Sequence, residues 1–430
     1  MKAEYRRKIA EAVHERSNET VALLQRLIRS RSGPPPTSEK ECQKIVENKL
    51  RSLGVELEVF ELTEMLDSLL KSPNFGKVPN PETWYKDRPN VVGKVKGTGG
   101  GKSLILNGHT DTVGVEPRKL WRHDPFAAEI FEGRIYGRGA SDMKAGIASA
   151  IMALDTVIGL GYKLKGDVIF ESVIDEEGGA NGTRACIMKG YRADAAIFTE
   201  PSELSIAPAQ QGWLMLRVKV FGEPAHVGVA YEGVGAFEVA EKVYHSLMDL
   251  ASCRSAYRGH PLYSGRYPIT TPISVGVVRA GECVNMVAAE CILEACIITL
   301  PNEDAEQVRR EIEQYLKGVA LQDRSLKNHP PEIEWWGSVG RGIDQGVDLD
   351  VVKTLSPNVE YVTGKKAQIV GFPAGGDMCQ TVLEAGIPSI MFGPGNIQTC
   401  HACDEFVEIS QVIDCTQALA MTILDWCGYG

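Results

Sequence analysis

A chain of 430 residues is too long for one ordinary hydrophobic core, so its length implies two or three domains. With 43% hydrophobic and 24% charged residues it has the composition of a folded globular protein, not of a disordered one. The net charge of −10, and the lack of any Lys/Arg cluster longer than Lys2–Lys8, argue against a nucleic-acid partner.

The N-terminus, Met1 to Ser17, is charged throughout and lacks the apolar core of a secretory signal. No apolar run reaches membrane-spanning length, so no membrane association is expected. The eleven cysteines are odd in number and sit mostly in apolar segments, as Cys291 and Cys296 do. That suits reduced, buried thiols and a cytoplasmic protein better than a disulfide framework.

Along the chain, Met65–Arg88 is rich in Pro and Asn and reads as a long irregular loop. Gly97–Gly101 precedes a strand instead of opening a helix, so it reads as a hairpin turn and not as a nucleotide-binding loop. Ser103–Leu106, Asp167–Val173 and Ala195–Phe198 read as strands. Between the first two, Met143–Leu160 repeats Ile147, Ile151, Leu154 and Ile158 at helical spacing and stops at Gly159 and Gly161. Strands alternating with helices imply a largely parallel sheet.

The texture changes near Ala209. Trp213–Phe221, Ile273–Val278 and Ala288–Leu300 read as strands, and Ala236–Leu250 and Glu303–Leu316 as helices. This is a smaller α+β domain ending near Ser338, with Gly337–Gly346 as a linker. The α/β texture then returns, with Ile387–Phe392 as a buried strand. The expected fold is α/β: a mixed, mostly parallel sheet with helices on both faces, formed by residues 1–208 and 339–430, with residues 209–338 inserted.

The polar residues fall where chemistry is expected. Open α/β sheets bind ligands beyond the carboxyl ends of their strands. Ser103–Leu106 is followed by Asn107-Gly108-His109-Thr110-Asp111, Asp167–Val173 by Asp175-Glu176-Glu177, and Ala195–Phe198 by Thr199-Glu200-Pro201. Ile387–Phe392 runs into Gly393-Pro394-Gly395 and then His401. Asp142 precedes the helix near Met143, where it could also serve as a cap. So many carboxylates at one edge repel one another unless a cation neutralises them. Imidazole with carboxylate is a ligand set for Zn²⁺, Mn²⁺ or Co²⁺.

His109-Thr110-Asp111, Gly137–Lys144, Asp175-Glu176-Glu177, Glu200-Pro201 and His401 together resemble the metal-site motifs of the M20 metallopeptidase family, in order and over nearly the whole chain. The resemblance implies a metal-dependent hydrolase of an amide-type C–N bond, with one or two divalent ions. By the same resemblance His109, Asp142 and Glu200 hold one ion, Glu177, His401 and Asp142 the other, and Asp142 bridges them. It also implies that the bond after this Asp is often cis. Asp111 accepts from the ring N–H of His109, and Glu176 is the general base. His226 matches an oxyanion donor supplied by the inserted domain of a partner subunit, implying a homodimer through residues 209–338. Asn285 matches a substrate-contacting Asn. Gly393-Pro394-Gly395 resembles a loop whose backbone N–H groups meet substrate.

The chain departs from the family pattern in the inserted domain. Deacylases of this family carry Asp-x-Arg near the end of the long strand, where the Arg takes an α-carboxylate. Cys296 and Ile298 stand there instead, and an apolar side chain cannot replace a bidentate guanidinium. Val227 and Ala288 stand where Ser and Pro are usual. Arg279 or Arg341 are alternative sources of charge. The expected activity is N-acyl-amino-acid deacylation. Alternatives are a dipeptidase or carboxypeptidase, a hydrolase of an aromatic-amine or carbamoyl C–N bond, or a non-catalytic metal-binding relative. A rival zinc site through Cys400, His401 and Cys403 lacks nearby partners apart from Cys379.

Overall fold

The structure is a computed structural model and describes residues 2–33 and 37–430. The chain divides into two compact units. The first comprises residues up to Ala209, Gln345–Phe372 and Gly376–Gly430, and the second Gln210–Asp344 with Pro373–Gly375.

The strands that matter to the site are, in chain order, β1 (Glu56–Glu61), β2 (Pro89–Val95), β3 (Leu104–His109), β4 (Val168–Val173), β5 (Ala195–Phe198), β6 (Ile206–Gln210), β7 (Gly212–Phe221), β8 (Ile273–Ala280), β9 (Glu290–Thr299), β10 (Glu332–Gly340), β11 (Ile369–Phe372) and β12 (Ser389–Met391).

In the first unit the sheet order is β1-β2-β4-β3-β5-β12-β6, with β11 also on β6. The central strands β4, β3, β5 and β12 are parallel, whereas β1, β2 and β6 join antiparallel. Every residue of β3, β4 and β5 is buried, which is the signature of a sheet covered on both faces. Leu104, Leu106, Val168, Phe170 and Ile197 join a core cluster with the helices Lys2–Glu15, Ala145–Gly159 and Ile409–Cys427. On the opposite face Asn107 reaches Thr183 of the helix Asn181–Met188, its amide nitrogen 3.0 Å from the hydroxyl. The fold is thus the expected mixed α/β class. Among the described residues no helix is long and apolar enough to cross a membrane.

Three local expectations need correction. Gly97–Gly101 is not a hairpin: β2 and β3 do not pair but flank β4, so the loop crosses the end of that strand. A Cβ on Gly97 or Gly101 would meet the backbone at Lys165–Gly166 at 2.4 Å, which is why the crossing needs glycine. The helix expected from Met143 begins at Ala145, because Asp142 and Met143 have non-helical dihedrals. Met65–Arg88 contains two short helices, Leu66–Leu70 and Pro81–Trp84, and buries Tyr85 and Arg88.

In the second unit four antiparallel strands run in the order β8-β9-β7-β10. β7 and β9 alternate strictly between buried and half-buried residues. The buried row, Leu214, Leu216, Val218, Leu293 and Ile297, packs with Val239, Val243, Ile312 and Leu316 of the helices Ala236–Tyr257 and Ala305–Gln322. The other face carries Trp213, Met215, Arg217, Cys296 and Ile298. β10 runs to Gly340 through part of the expected linker, so the unit closes at Asp344 and not at Ser338.

Candidate metal centre

The carboxyl ends of the parallel strands build one constellation. His109 is the last residue of β3; Glu176 and Glu177 lie in the turn after β4; Glu200 follows β5; His401 lies in the loop after β12. Asp142 sits in the turn before the helix Ala145–Gly159, and the Asp142–Met143 peptide is cis. A Cβ on Gly146 would fall 1.9 Å from the carbonyl oxygen of Thr199, so glycine there lets the helix start lie directly on the β5 end.

Asp142 faces two groups at once. One carboxylate oxygen is 3.1 Å from His109 Nε2, and the other is 3.4 Å from His401 Nε2. His401 Nε2 is also 3.1 Å from Glu177 Oε1. Two triads result, His109–Asp142–Glu200 and Asp142–Glu177–His401, and in each the potential ligand atoms lie within 4.8 Å of one another. Glu176 belongs to neither triad; its Oε2 is 4.0 Å from His109 Nε2.

The electrostatics are those of a cation site. Burial raises the Glu200 carboxyl to about 8, with Asp142 and Asp377 nearby, although His109 opposes this. Burial likewise raises Glu176 well above the usual carboxylate range, and the neighbouring carboxylates add to this. Hydrogen bonds donated to the Asp142 and Glu177 carboxylates push His401 up to about 11. Burial works against ionisation of Asp142, yet the two imidazoles hold its carboxyl well below the usual range. Buried carboxylates crowded beside two imidazoles are groups whose mutual repulsion a divalent ion would neutralise, and the nitrogen and oxygen donors fit such an ion.

Three buried carboxylates fix this edge. Asp111 accepts from the backbone N–H groups of Glu176 and Glu177, at 3.2 and 3.0 Å. The ring N–H of His109, expected to meet the Asp111 carboxylate, instead faces that residue's main-chain oxygen at 2.9 Å, with the carboxylate at 3.6 Å. Either acceptor selects the tautomer that leaves Nε2 free for an ion. Glu405 accepts from the N–H groups of Gly139, Ser141 and Asp142 at 2.9–3.1 Å, and from Arg138 at 2.6 Å. Asp175 accepts from Trp84, Tyr85 and Asn181 at 2.7–3.2 Å. Sequence reasoning missed Glu405, Trp84 and Tyr85. Glu405, four residues after His401, was open to suspicion as an acid near a ligand; the aromatics lay in a segment read as irregular.

Other expected residues fall elsewhere. His226 and Asn285 belong to the second unit, where they are neighbours: Val227 N–H donates to the Asn285 carbonyl at 3.0 Å. Both are exposed, and His226 Nδ1 accepts from Gly228 N–H at 3.1 Å. The loop Gly393-Pro394-Gly395 does not offer its N–H groups to a substrate, because Gly393 donates to Ser202 at 3.1 Å and Gly395 to Gln411 at 2.8 Å. Cys296 and Ile298 stand on the helix-free face of the insert sheet. Arg279 is drawn to Glu294 at 3.5 Å. Neither triad includes a cysteine, and burial pushes the Cys400 thiol up, away from a thiolate ligand.

Comparison with known proteins agrees with this geometry. The model of peptidase family M20/M25/M40 matches residues 105–425. The chain is 30% identical over 437 residues to the N-formyl-4-amino-5-aminomethyl-2-methylpyrimidine deformylase of Bacillus subtilis, covering 96% of each chain. It is 26% identical over 344 residues to the acetylornithine deacetylase of Myxococcus xanthus, covering 80% of this chain and 85% of that one. Human carnosine dipeptidase 1 shares the fold, with a TM-score of 0.75, 14% identity and coverage of 98% and 99%.

Proposed function

We propose that this chain, which belongs to peptidase family M20/M25/M40 and is a metal-dependent amide hydrolase, removes a short acyl group, formyl foremost, from an aminomethyl-bearing heteroaromatic amine. The observation that carries the catalytic part is a pair of donor triads sharing Asp142, with the half-buried Glu176 beside them and outside both. On this reading His109, Asp142 and Glu200 hold one divalent ion, Glu177, Asp142 and His401 the second, and Zn²⁺, Mn²⁺ and Co²⁺ all suit the donors. Bound ions supply the positive charge that polarises an amide carbonyl and acidifies water.

The chain's own residues do the rest. Glu176 takes a proton from the attacking water and delivers it to the leaving nitrogen, a task served by burial that lets its carboxyl hold a proton. Asp111 fixes the turn that carries Glu176 and Glu177, and Glu405 fixes the turn that carries Asp142. His226 and Asn285 act across a homodimer formed through the second unit, His226 Nε2 donating to the developing oxyanion. Cytoplasmic residence belongs to the same reading, supported by eleven free thiols.

Two observations favour the amine without an α-carboxylate over an N-acyl amino acid. One is Ile298 on the strand where an Arg would take that carboxylate, while Arg279 is already drawn to Glu294. The other is the deformylase relative, aligned along 96% of the chain. The test loads purified protein with Zn²⁺, Mn²⁺ or Co²⁺ in turn and offers an N-formyl aminomethylpyrimidine, N-acyl amino acids and dipeptides. Preferred turnover of the formamide is expected. A larger kcat/KM for N-acyl amino acids overturns the substrate, and active protein without bound metal overturns the centre.

A further inference from the structure

We infer that Trp84 and Tyr85 are positioning residues for the turn that carries Glu176, acting through Asp175; this rests on the reading of Glu176 as the base. Every group involved belongs to the first unit. The turn starts on a residue in an unusual backbone state. Asp175 has a φ of +66°, in the left-handed region that residues other than glycine rarely adopt. The N–H groups of Gly179 and Ala180 both donate to its carbonyl, at 3.0 and 2.6 Å, so the turn closes on this one residue. A residue with a side chain keeps such a conformation where its surroundings over-determine it.

The two aromatic residues do this at Asp175. The indole N–H of Trp84 donates to one carboxylate oxygen at 2.7 Å, and the Tyr85 hydroxyl donates to the other at 2.8 Å. Asp175 and Tyr85 are both fully buried, so no solvent replaces a lost partner. Burial pushes the phenol up, and the Asp175 carboxylate adds to this, so Tyr85 remains a donor at neutral pH. The donors are themselves held. Arg88 donates to the Trp84 carbonyl at 3.0 Å and to Glu39 at 2.6 Å, and its guanidinium lies 5.3 Å from the indole centroid. Upstream, a Cβ on Gly76 would fall 1.9 Å from the Gly179 carbonyl oxygen, so glycine lets the chain lie directly on the turn. There Gly76 N–H donates to Asn181 Oδ1 at 3.1 Å, and the Gly76 carbonyl accepts from Asn181 Nδ2 at 2.9 Å. Asp111 ties the amides of Glu176 and Glu177, whereas Asp175 ties the root of the turn. With the root released, the turn can pivot about Asp111 and carry Glu176 with it. Proton transfer is sensitive to such shifts: a misplacement of about an ångström costs roughly a hundredfold in rate.

The experiment compares wild type with Tyr85→Phe, Trp84→Phe and Asp175→Gly, all Zn²⁺-loaded. The two Phe variants each delete one donor and keep a ring. Asp175→Gly suits the backbone conformation better than Asp does and removes the carboxylate, so it separates the anchor from mere tolerance of a positive φ. Hydrogen–deuterium exchange should rise at the amides of 176–180 in all three and stay at the wild-type level in β3 and β5. On an N-formyl aminomethylpyrimidine kcat should fall by roughly tenfold in the Phe variants and by up to about a hundredfold in Asp175→Gly. KM should stay within about twofold of wild type, because the loss falls on the transition state. The Phe variants decide the matter alone if Asp175→Gly does not fold. Wild-type exchange at 176–180 in both Phe variants overturns the inference, as does a rise that spreads through β3 and β5. Wild-type kcat in folded Asp175→Gly, or raised exchange in the Phe variants with unchanged kcat, overturns it as well. If wild type hydrolyses no formamide, the proposed function has failed, and the exchange measurement still decides whether the two aromatic residues hold the turn.

Discussion

The sheet edge of the first unit and the His226–Asn285 corner of the second are built on opposite plans. At the edge the backbones of two turns are tied by buried carboxylates, Asp111 under Glu176 and Glu177 and Glu405 under Asp142, while the Asp175 carboxylate, just before Glu176, accepts from the side chains of Trp84, Tyr85 and Asn181. At the corner, backbone bonds join the loops of His226 and Asn285, and the surroundings are bare, with Val227 55% and Val284 fully exposed. The edge is preorganised to hold charge in one geometry before a ligand arrives. The corner keeps its groups free to meet something that arrives.

The comparison breaks first at Glu176. Glu176→Gln keeps the side chain's shape and removes the proposed base, so kcat should fall by about 10²–10⁴, the range of general acid–base catalysis. Bound metal, measured by elemental analysis, should stay at the wild-type level because Glu176 lies outside both triads. Loss of metal would make Glu176 a ligand and redraw the edge.

His226→Ala tests the other plan. An exposed donor that acts only on the developing oxyanion should cost about 10²–10³ in kcat when removed. Stability should change by no more than about 0.5 kcal/mol, as for other exposed positions. Mixing this variant with Glu176→Ala should restore part of the activity if the histidine serves the partner's site. Full activity of His226→Ala would leave the corner without a catalytic part.

The positions of His109, Asp142, Glu177, Glu200 and His401 were legible because parallel strands end on one edge, and the polar residue after each apolar run marks that edge. The α/β class was legible for the same reason, since helical and strand periodicities alternate. What supports the edge was not. Glu405 and Asp111 act on backbone N–H groups, which every residue offers, so no side-chain pattern reports the pairing. Asp111 shows this directly, because its main-chain oxygen meets His109 while its carboxylate faces the next turn. The Gly97–Gly101 crossing was misread because a glycine-rich turn has the same composition whether the strands it joins pair or flank a third. Gly393 and Gly395 were misread because their donors meet Ser202 and Gln411, residues remote in sequence.

Glu405→Gln sharpens the edge at smaller scale. The amide keeps the size but offers one acceptor oxygen where the carboxylate offers two, so some N–H groups of Gly139, Ser141 and Asp142 lose a partner. Metal affinity should weaken by about 10–100-fold, as when the hydrogen-bond partner of a ligand is removed. Competition with a chelator measures this. Unaltered affinity would mean that Asp142 is held by its own turn alone.

The smallest effect is expected at Ile298, and it bears on what the second unit is for. The residue is half-buried on the helix-free face of a central strand, opposite Trp213 in register, with neighbouring positions taken by Cys296 and Met215. An Arg can lay its methylene stem over such a surface and keep its guanidinium in water, so Ile298→Arg should fold with a change within about 0.5 kcal/mol. If this face contributes to substrate choice, the new charge should improve kcat/KM for an N-formyl amino acid relative to an N-formyl aminomethylpyrimidine. An exposed ion pair contributes at most about 1 kcal/mol, so the gain should stay below about tenfold. The direction matters more than the size: an unchanged ratio would move substrate choice off the insert sheet and onto the edge that carries the two donor triads.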